Sequence, residues 1–459
     1  MKRAGIIVGV LTALLVVSSC FSCKPRQARP VELVVLDPGH FHAALVLKNR
    51  LEGVSETVRV YAPEGAEVNQ FLVAVDSYNN RPENPTSWKK EVCLGDDYLE
   101  RVISDGRGDV VVLAGNNRKK TGYILESVKA GYSVLSDKPM AINKNDFGML
   151  AEAYRLADGN GLLIRDIMTE RYDILNVVAR ELLRDPAIFG DLLPGSEEAP
   201  SVTMRSVHHF FKTVSGQPLI RPAWYYDVEQ QGEGLADVTT HMIDIVAWLC
   251  FPDEPVRYTS DVEVLAAGHW PTSISPAEFF RSTDVGPFPQ FLDKYVKDGA
   301  LEVMANGSMV YRVKGIHVGM EVVWNYASPA GGDTSSAVIK GSKASLEFLQ
   351  NEETGFIKQL FVRRSQDTDT ADFEKRLQEK AGELRETYPL LTVEQRDADL
   401  YLIGIPVEER AGHEAHFSLV AEIFLQDLHG KNTPEWEKEN TLSKYYITTT
   451  AVEMANKAK

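Results

Sequence analysis

A lysine that directly follows a predicted buried strand is the first residue whose position indicates chemistry. Residues Tyr132 to Leu135 read as a strand, and Asp137-Lys138-Pro139 comes after it. At the carboxyl end of a parallel strand a side chain faces the ligand crevice, and Pro139 stiffens the segment. The position therefore predicts a functional lysine at 138. The alternative is a solvated surface charge.

A second candidate combines carboxylates and an imidazole at helical spacing. Asp237, His241 and Asp244 are separated by four and three residues within a stretch, 232 to 249, that we predict to be helical. This spacing puts all three on one line beside an apolar stripe. A carboxylate next to a histidine raises its basicity and fixes its tautomer, which a general base near neutral pH requires. The alternative is a helix-surface ion pair that stabilises by only ~0.3–0.5 kcal/mol.

The turn after the first predicted strand is the third candidate. A dinucleotide-binding loop needs glycines there, so that the backbone can approach a pyrophosphate. Of the pattern GxGxxG only Gly39 remains, with Asp37 and His42 at the outer positions. Asp37 would be unfavourable beside a pyrophosphate unless it faces away. Glu64 is the plausible carboxylate for a ribose ligand. An ordinary strand-to-helix turn is the alternative.

Strands that alternate with helices must position the first and third candidates. The predicted strands are 31–36, 57–61, 109–114, 132–135 and 162–164, and the predicted helices are 42–51, 118–130 and 143–157. Residues 62 to 95 are rich in Pro, Asn and Gly and predict a partly irregular excursion. The alternation predicts a Rossmann-type, doubly wound parallel α/β sheet over residues 31–165.

From residue 166 to 459 the pattern changes to helices followed by alternating stretches. These stretches, within 301–304, 308–313, 320–324 and 336–339, predict a mixed or antiparallel open sheet in a second α+β domain. Charged residues 371 to 388 predict a solvated helix, and 437 to 457 predict a terminal helix that returns along the surface.

Together these features resemble the glucose-fructose oxidoreductase and inositol dehydrogenase family, also called Gfo/Idh/MocA. The segment Asp137-Lys138-Pro139 is similar to the family's EKP segment, with Asp replacing Glu. The stretch from Gly232 to Asp244 resembles its glycine-led catalytic helix, and Arg171-Tyr172 and Trp224 fit family landmarks before it. The resemblance covers roughly residues 31 to 345, and the tail looks like an extension.

The resemblance implies Lys138, Asp237 and His241 as catalytic residues. It implies a substrate held by Trp224, Asp237, His241 and Asp244. It also implies NAD or NADP as cofactor. The implied cofactor contacts, with the ribose candidate included, are Gly39, His42, Glu64, Asn116, Asn117, Asp137, Lys138 and Pro139. No metal site is predicted.

The composition excludes several classes of protein. The 459 residues are 44% apolar and 25% charged, which is typical of a globular protein. The net charge of −16 argues against a nucleic-acid partner, because such a surface repels phosphates. Residues 1–19 predict a signal peptide, with a lipobox-like end that predicts lipidation of Cys20 and a linker over 20–30. The expected location is the bacterial cell envelope, on the periplasmic side, with the membrane contacted through the lipid alone.

The favoured function is oxidation of a hydroxyl of a sugar, glycoside or cyclitol by NAD or NADP. Here His241 takes the proton and Lys138 stabilises charge on oxygen. One alternative is a glycoside lyase or glycosidase-like enzyme that recycles its NAD within each turnover. Another is a non-catalytic, lipid-anchored carbohydrate-binding protein. A homo-oligomer that associates through the second-domain sheet is a further expectation.

Overall fold

The computed structural model describes residues 29–214, 217–430 and 433–458. The predicted signal peptide, the linker up to residue 28 and Cys20 lie outside these residues. None of the helices that the structure describes has the length and apolar composition of a membrane span.

The first domain is built on a six-stranded parallel sheet. Its strands are β1 (Val31–Leu36), β2 (Val54–Ala62), β3 (Lys89–Leu94), β4 (Val110–Leu113), β5 (Ser133–Ser136) and β6 (Ile164–Asp166). They are ordered β3-β2-β1-β4-β5-β6, the strand order of a dinucleotide-binding fold. The helices are α1 (His42–Leu45), α2 (Ala66–Asn80), α3 (Tyr98–Asp105), α4 (Asn117–Lys129) and α5 (Lys144–Asn160). The predicted Rossmann-type sheet is confirmed.

One part of the first domain is more regular than the sequence indicates. Residues 62 to 95 form α2 and β3 rather than an irregular excursion. Strand β3 lies at the sheet edge and begins with three charged residues, so it lacks the apolar run of a covered strand. That composition explains why the pattern hid it.

The second domain contains a ten-stranded sheet and a two-stranded ribbon. Its strands are β7 (Val202–Phe211), β8 (Thr213–Val214), β9 (Gln217–Pro218), β10 (Val262–Ile274), β11 (Val296–Lys297), β12 (Ala300–Val313), β13 (Ile316–Ala327), β14 (Thr334–Lys340), β15 (Ala344–Gln350), β16 (Gln359–Arg364), β17 (Thr392–Gln395) and β18 (Leu400–Gly404). The main sheet runs β10-β12-β13-β7-β14-β15-β16-β18-β17, with β11 beside β12, and β8 pairs β9. Strand β7 pairs β13 in parallel, and the other pairs described are antiparallel. The predicted mixed sheet is confirmed.

Helices cover one face of the main sheet. They are α6 (Ile174–Leu183), α7 (Val228–Gln231), α8 (Thr239–Cys250), α9 (Pro276–Thr283) and α10 (Thr370–Arg385), and they share a core with the strands. On the opposite face charged side chains such as Arg205 and Glu321 reach solvent and pair with each other.

The C-terminal helices return to the first domain. Helix α11 (His413–Gly430) buries Phe417 and Phe424 in the core on one side of the parallel sheet. Helix α12 (Glu435–Lys457) buries Leu442 and Tyr445 in the core on the other side. The predicted terminal helix is confirmed, but its surface position is wrong: Lys444 and Tyr445 are almost fully buried.

Candidate functional site

The two domains meet at an ion pair between Lys138 and Asp237. Lys138 follows β5 at the carboxyl edge of the parallel sheet, and Asp237 precedes α8 in the second domain. The Nζ of Lys138 donates to Oδ1 of Asp237 at 2.5 Å, and only 15% and 7% of the two side chains are exposed. The structure therefore brings these two predicted catalytic residues together.

Electrostatics keeps both members of this pair charged. Burial lowers the pKa of Lys138, but the carboxylates of Asp237 and Asp137 raise it by more, so the pKa lies above its ordinary value. Burial raises the pKa of Asp237, but the Lys138 charge outweighs that effect and lowers it. Lys138 is thus a cation near neutral pH, suited to stabilise negative charge rather than to accept a proton.

A glycine-dependent turn sets the position of Asp237. The stretch predicted as helical from 232 begins its α-helix only at Thr239, and residues 233–238 form a tight turn. A Cβ on Gly234 would lie 1.8 Å from the carbonyl oxygen of Ala305 on β12, so only glycine permits this close approach. Gln231 donates to the second oxygen of Asp237 at 3.2 Å, so this carboxylate binds Lys138 and an amide. His241 lies half-buried in the first turn of α8.

Asp244, predicted to contact substrate, lies elsewhere. It is 3% exposed, and its two oxygens accept bonds from Arg171 at 2.6 Å and from Lys444 at 3.0 Å. Lys444 also contacts Asp166 of β6 at 2.9 Å. Three residues along a helix advance ~4.5 Å, which carries Asp244 from the level of His241 into the interior. Asp244 therefore belongs to a buried ion-pair network between the domains, and its contact with substrate stays a prediction.

The loop after β1 leaves room for a ligand despite its missing glycines. The Asp37 carboxylate accepts from Tyr123 at 2.8 Å and points toward α4, so it faces away from the crevice. Gly115 after β4 lies against this loop, where a Cβ would be 2.4 Å from the Asp37 carbonyl oxygen. Gly39 sits beside Gly115 with ordinary spacing. The two loops together form the switch point between β1 and β4, where such folds bind ligands.

His42 and Asp137, both predicted to contact the cofactor, contact each other. The Nδ1 of His42 lies 2.9 Å from Oδ2 of Asp137, and the Nδ1 of His40 lies 3.8 Å from the same oxygen. Burial raises the pKa of Asp137, but nearby His42 and Lys120 lower it well below its usual range. The carboxylate is therefore ionised.

The remaining predicted cofactor residues are divided between the crevice and the second domain. Glu64 is exposed just beyond β2, and Pro139 follows Lys138 at the sheet edge. The side-chain amides of Asn116 and Asn117 donate to Gln230 and to Gln231 of α7, at 2.7 and 2.8 Å. Any cofactor contact from these two asparagines would have to use their backbone groups.

These positions fit a dinucleotide. Loops after β1, β2, β4 and β5 end on the same edge of the sheet, the repulsive Asp37 is turned away, and Glu64 is exposed where a ribose ligand is expected. Helix α1 has only four residues, so its dipole adds little to anion binding.

A buried lysine that the sequence pattern does not indicate lies beneath the site. Lys120 of α4 is 2% exposed and donates to the side-chain oxygen of Asn117 at 2.6 Å. Burial lowers its pKa to about 8. Its position inside an amphipathic helix gave no signal, because lysines there usually face solvent.

An aromatic wall stands beside Asp237. A cavity of about 20 Å³ is lined by Asp237, Gln231, Phe210, Tyr225 and Trp324, among others. That volume holds about one water molecule, so a sugar ring requires the lining side chains to move apart. Trp224, the predicted substrate residue, instead donates to Glu67 of α2 at 3.1 Å and so joins the two domains.

A polar cluster adjoins the aromatic wall and was also missed. His208 stacks on Trp324 with ring centroids 5.1 Å apart. His208 and His209 lie 3.3 and 2.9 Å from the Asp333 carboxylate, and Lys212 donates to it at 2.9 Å. Side chains of neighbouring strand residues point to opposite faces, so we expect at most one of the two histidines to enter a given site. The structure nevertheless brings both rings to the Asp333 carboxylate.

Comparisons with known proteins agree with this architecture. The family model described as "Putative oxidoreductase C terminal domain" matches residues 178–456. A "putative oxidoreductase" from Parabacteroides merdae is 45% identical with a TM-score of 0.92, and the match covers 94% of this chain and 98% of that one. No curated protein sequence matches.

Two more distant structures share the fold. A levoglucosan dehydrogenase in complex with NADH is 14% identical, with a TM-score of 0.57 over 93% of this chain and 97% of that one. A "putative myo-inositol dehydrogenase" from Sinorhizobium meliloti is 12% identical, with a TM-score of 0.52 over 94% and 98%. The chain belongs to the oxidoreductase family that the C-terminal domain model describes, and it has the two-domain fold of Gfo/Idh/MocA-type oxidoreductases.

Proposed function

We propose that this protein is an NAD(P)-dependent oxidoreductase that acts on a hydroxyl of a sugar, glycoside or cyclitol. The observation that carries the proposal is the meeting of Lys138 with Asp237, with His241 in the adjacent helical turn, at the edge where the nucleotide-fold loops end. Levoglucosan dehydrogenase, which has the same fold, binds NADH and supports the choice of cofactor class.

A dinucleotide would supply the hydride acceptor or donor. The groups that would hold it are the Glu64 carboxylate and backbone groups of Gly39, His42, Asn116, Asn117 and the Asp137 to Pro139 segment, because the side chains of His42 and Asp137 bind each other. All of them lie on loops that follow strands of the parallel sheet or border them.

The side chains of the cleft divide the remaining work. The Lys138 ammonium stabilises negative charge on the substrate oxygen, and Asp237 holds that ammonium in place. His241 takes the hydroxyl proton, because the raised pKa of Lys138 makes this lysine a poor base. The aromatic wall of Trp324, Phe210 and Tyr225 offers apolar faces on which a sugar ring packs once these side chains move apart.

The test is to measure turnover on a panel of sugars, glycosides and cyclitols with NAD⁺ and with NADP⁺. Formation of the reduced cofactor reports the turnover. We expect one substrate class to react, and Lys138→Met and His241→Ala each to lower kcat by at least about 100-fold in protein that circular dichroism shows to be folded. Lys129→Met, at an exposed site on α4, is the matched control and keeps full activity. Full activity in both active-site variants would refute the mechanism.

A second measurement separates this function from the cofactor-recycling lyase or glycosidase-like enzyme and from the carbohydrate-binding protein. Mass spectrometry of denatured protein, purified from its native envelope, detects a retained dinucleotide. A stoichiometric dinucleotide with product formation but no net NADH release would favour the lyase or glycosidase-like enzyme that recycles its cofactor. Absence of both dinucleotide and turnover would favour the carbohydrate-binding protein.

Export and lipidation are part of the proposal. The charge and apolar pattern of residues 1–19 and the lipobox before Cys20 support an exported, lipid-anchored protein. Labelling with a fatty-acid analogue should mark the protein, and Cys20→Ser should abolish the label.

We also propose a homo-oligomer formed through the open face of the second-domain sheet. Residues of β7, β12, β13 and β14 line a depression there, and Thr203, Val310 and Val338 present their side chains to it. Light scattering should show a dimer or larger species, and Val338→Glu should dissociate it.

A further inference from the structure

We propose that His40, His42 and Asp137 bind a divalent transition-metal ion such as Zn²⁺ or Co²⁺. Each residue offers one ligand atom, and these atoms all lie within 4.8 Å of one another. Two imidazoles and a carboxylate are a donor set that suits Zn²⁺, Co²⁺ and Fe²⁺.

The spacing of the three ligand atoms is close to that of a metal site. The Nδ1 atoms of His42 and His40 lie 2.9 and 3.8 Å from Oδ2 of Asp137. Around an ion with metal–ligand bonds of ~2.0–2.2 Å, neighbouring ligand atoms are about 3–3.5 Å apart. The widest pair of ligand atoms lies within 4.8 Å, so ring shifts of about 1 Å would complete the coordination.

The backbone holds two of the three residues in place before any ion binds. His40 N–H donates to the Ala114 carbonyl oxygen at 3.1 Å, and Asp137 N–H donates to that of Leu113 at 2.7 Å. Leu113 ends β4 and Ala114 follows it, at the centre of the sheet. Ligands fixed on rigid elements bind with a smaller loss of conformational entropy.

The hydrogen bonding of His40 also suits a metal. The His42 backbone N–H donates to Nδ1 of His40 at 3.4 Å, which is consistent with a lone pair on that nitrogen. A histidine binds a metal through a nitrogen that carries a lone pair. The carboxylate of Asp137 supplies oxygen ligands to the same site.

The surroundings leave part of the coordination sphere open. The His42 ring packs against Phe417 of α11, with centroids 4.5 Å apart, and gives the site an apolar side. About a quarter of the His40 side chain is exposed. A site with three protein ligands and an open position accepts water or another ligand in the remaining place.

Metal binding to untagged, full-length protein tests the proposal, after chelator treatment and with no dinucleotide or substrate present. Co²⁺ titration followed by visible absorption should show one ion per chain, and calorimetry with Zn²⁺ should give the same stoichiometry. His40→Ala and Asp137→Asn should each weaken the affinity at least tenfold. His317→Ala, at an exposed histidine of the second domain, should leave it unchanged.

Circular dichroism shows whether each variant folds. If Asp137→Asn unfolds, His40→Ala decides the matter, because His40 is partly exposed. No stoichiometric binding in the wild type, or equal affinity in a folded His40→Ala variant, overturns the proposal. The assay contains neither cofactor nor substrate, so its failure leaves the proposed oxidoreductase activity standing.

Discussion

The Nζ of Lys138 lies 2.5 Å from Oδ1 of Asp237, although the two residues are 99 positions apart and belong to different domains. Both side chains are largely removed from water. Burial of two charges carries a desolvation cost that their attraction does not always offset. A pair of this kind at the mouth of a nucleotide-binding fold suits a catalytic role better than a stabilising one.

We expect the Lys138–Asp237 pair to be strongly coupled in stability. Asp237→Asn should lower the free energy of unfolding by about 3–5 kcal/mol, because it leaves a buried ammonium without its partner. In the double variant Lys138→Met, Asp237→Asn, the loss should be smaller than the sum of the two single losses by about 0.5–3 kcal/mol. Urea unfolding measures all four proteins. Additivity within about 0.5 kcal/mol would contradict the coupling.

The Asp244 network should be essential for folding rather than for substrate binding. Asp244→Asn removes the negative charge that Arg171 and Lys444 share and should cost about 3–5 kcal/mol. Glu126→Gln breaks an exposed pair with Lys129 and should cost at most about 1 kcal/mol. Thermal and urea unfolding check both. Equal losses of stability in the two variants would show that the buried Asp244 network stabilises the protein no more than an exposed ion pair does.

The Asp244 network should also make the stability of the protein depend on pH in acid. Burial raises the pKa of Asp244, but Arg171 and Lys444 lower it by more, so the folded-state pKa is depressed. Its contribution is therefore complete above the unfolded pKa of about 4 and is lost as pH falls through the depressed folded value. The stability gap between wild type and Asp244→Asn should be constant from pH 7 to 5 and narrow below pH 4. A stability gap that instead widens in acid would contradict a lowered pKa of Asp244 in the folded protein.

Lys120 should make stability depend on pH on the alkaline side. Its pKa of about 8 lies below the unfolded value near 10.4, so the fold disfavours the charged form. This cost is complete below pH 8 and fades as pH rises toward 10. Wild type should therefore gain stability relative to Lys120→Met between pH 7 and 10, by up to about 3 kcal/mol. Lys129→Met, on the exposed face of the same helix, should show a flat difference.

Two glycines should respond in opposite ways to the same substitution. Gly234→Ala places a Cβ 1.8 Å from the Ala305 carbonyl oxygen and should destabilise strongly and displace Asp237, with loss of activity. Gly122→Ala, inside α4 with nothing within 4 Å of the new Cβ, should stabilise by about 0.5–1 kcal/mol. Melting temperatures of the two variants test this contrast.

Local pattern predicted the elements that carry the site. Strand β5 and helices α4 and α5 follow from apolar runs and capping residues, such as Asn143 before α5. Strand β3 and helix α2 escaped because a polar edge strand and a helix with little amphipathic contrast lack such patterns.

By itself, the sequence determined the fold class and the placement of Lys138 at a strand end, because both depend on short-range periodicity and on the geometry of parallel strands. Only the tertiary structure decided the partners of each charged group. Asp237 and Asp244 occupy similar positions along one segment, yet the first meets Lys138 and the second meets Arg171 and Lys444. Those partners come from segments 73 to 200 residues away. Packing of the two domains against each other brings Lys138 to Asp237, and packing of α12 brings Lys444 to Asp244.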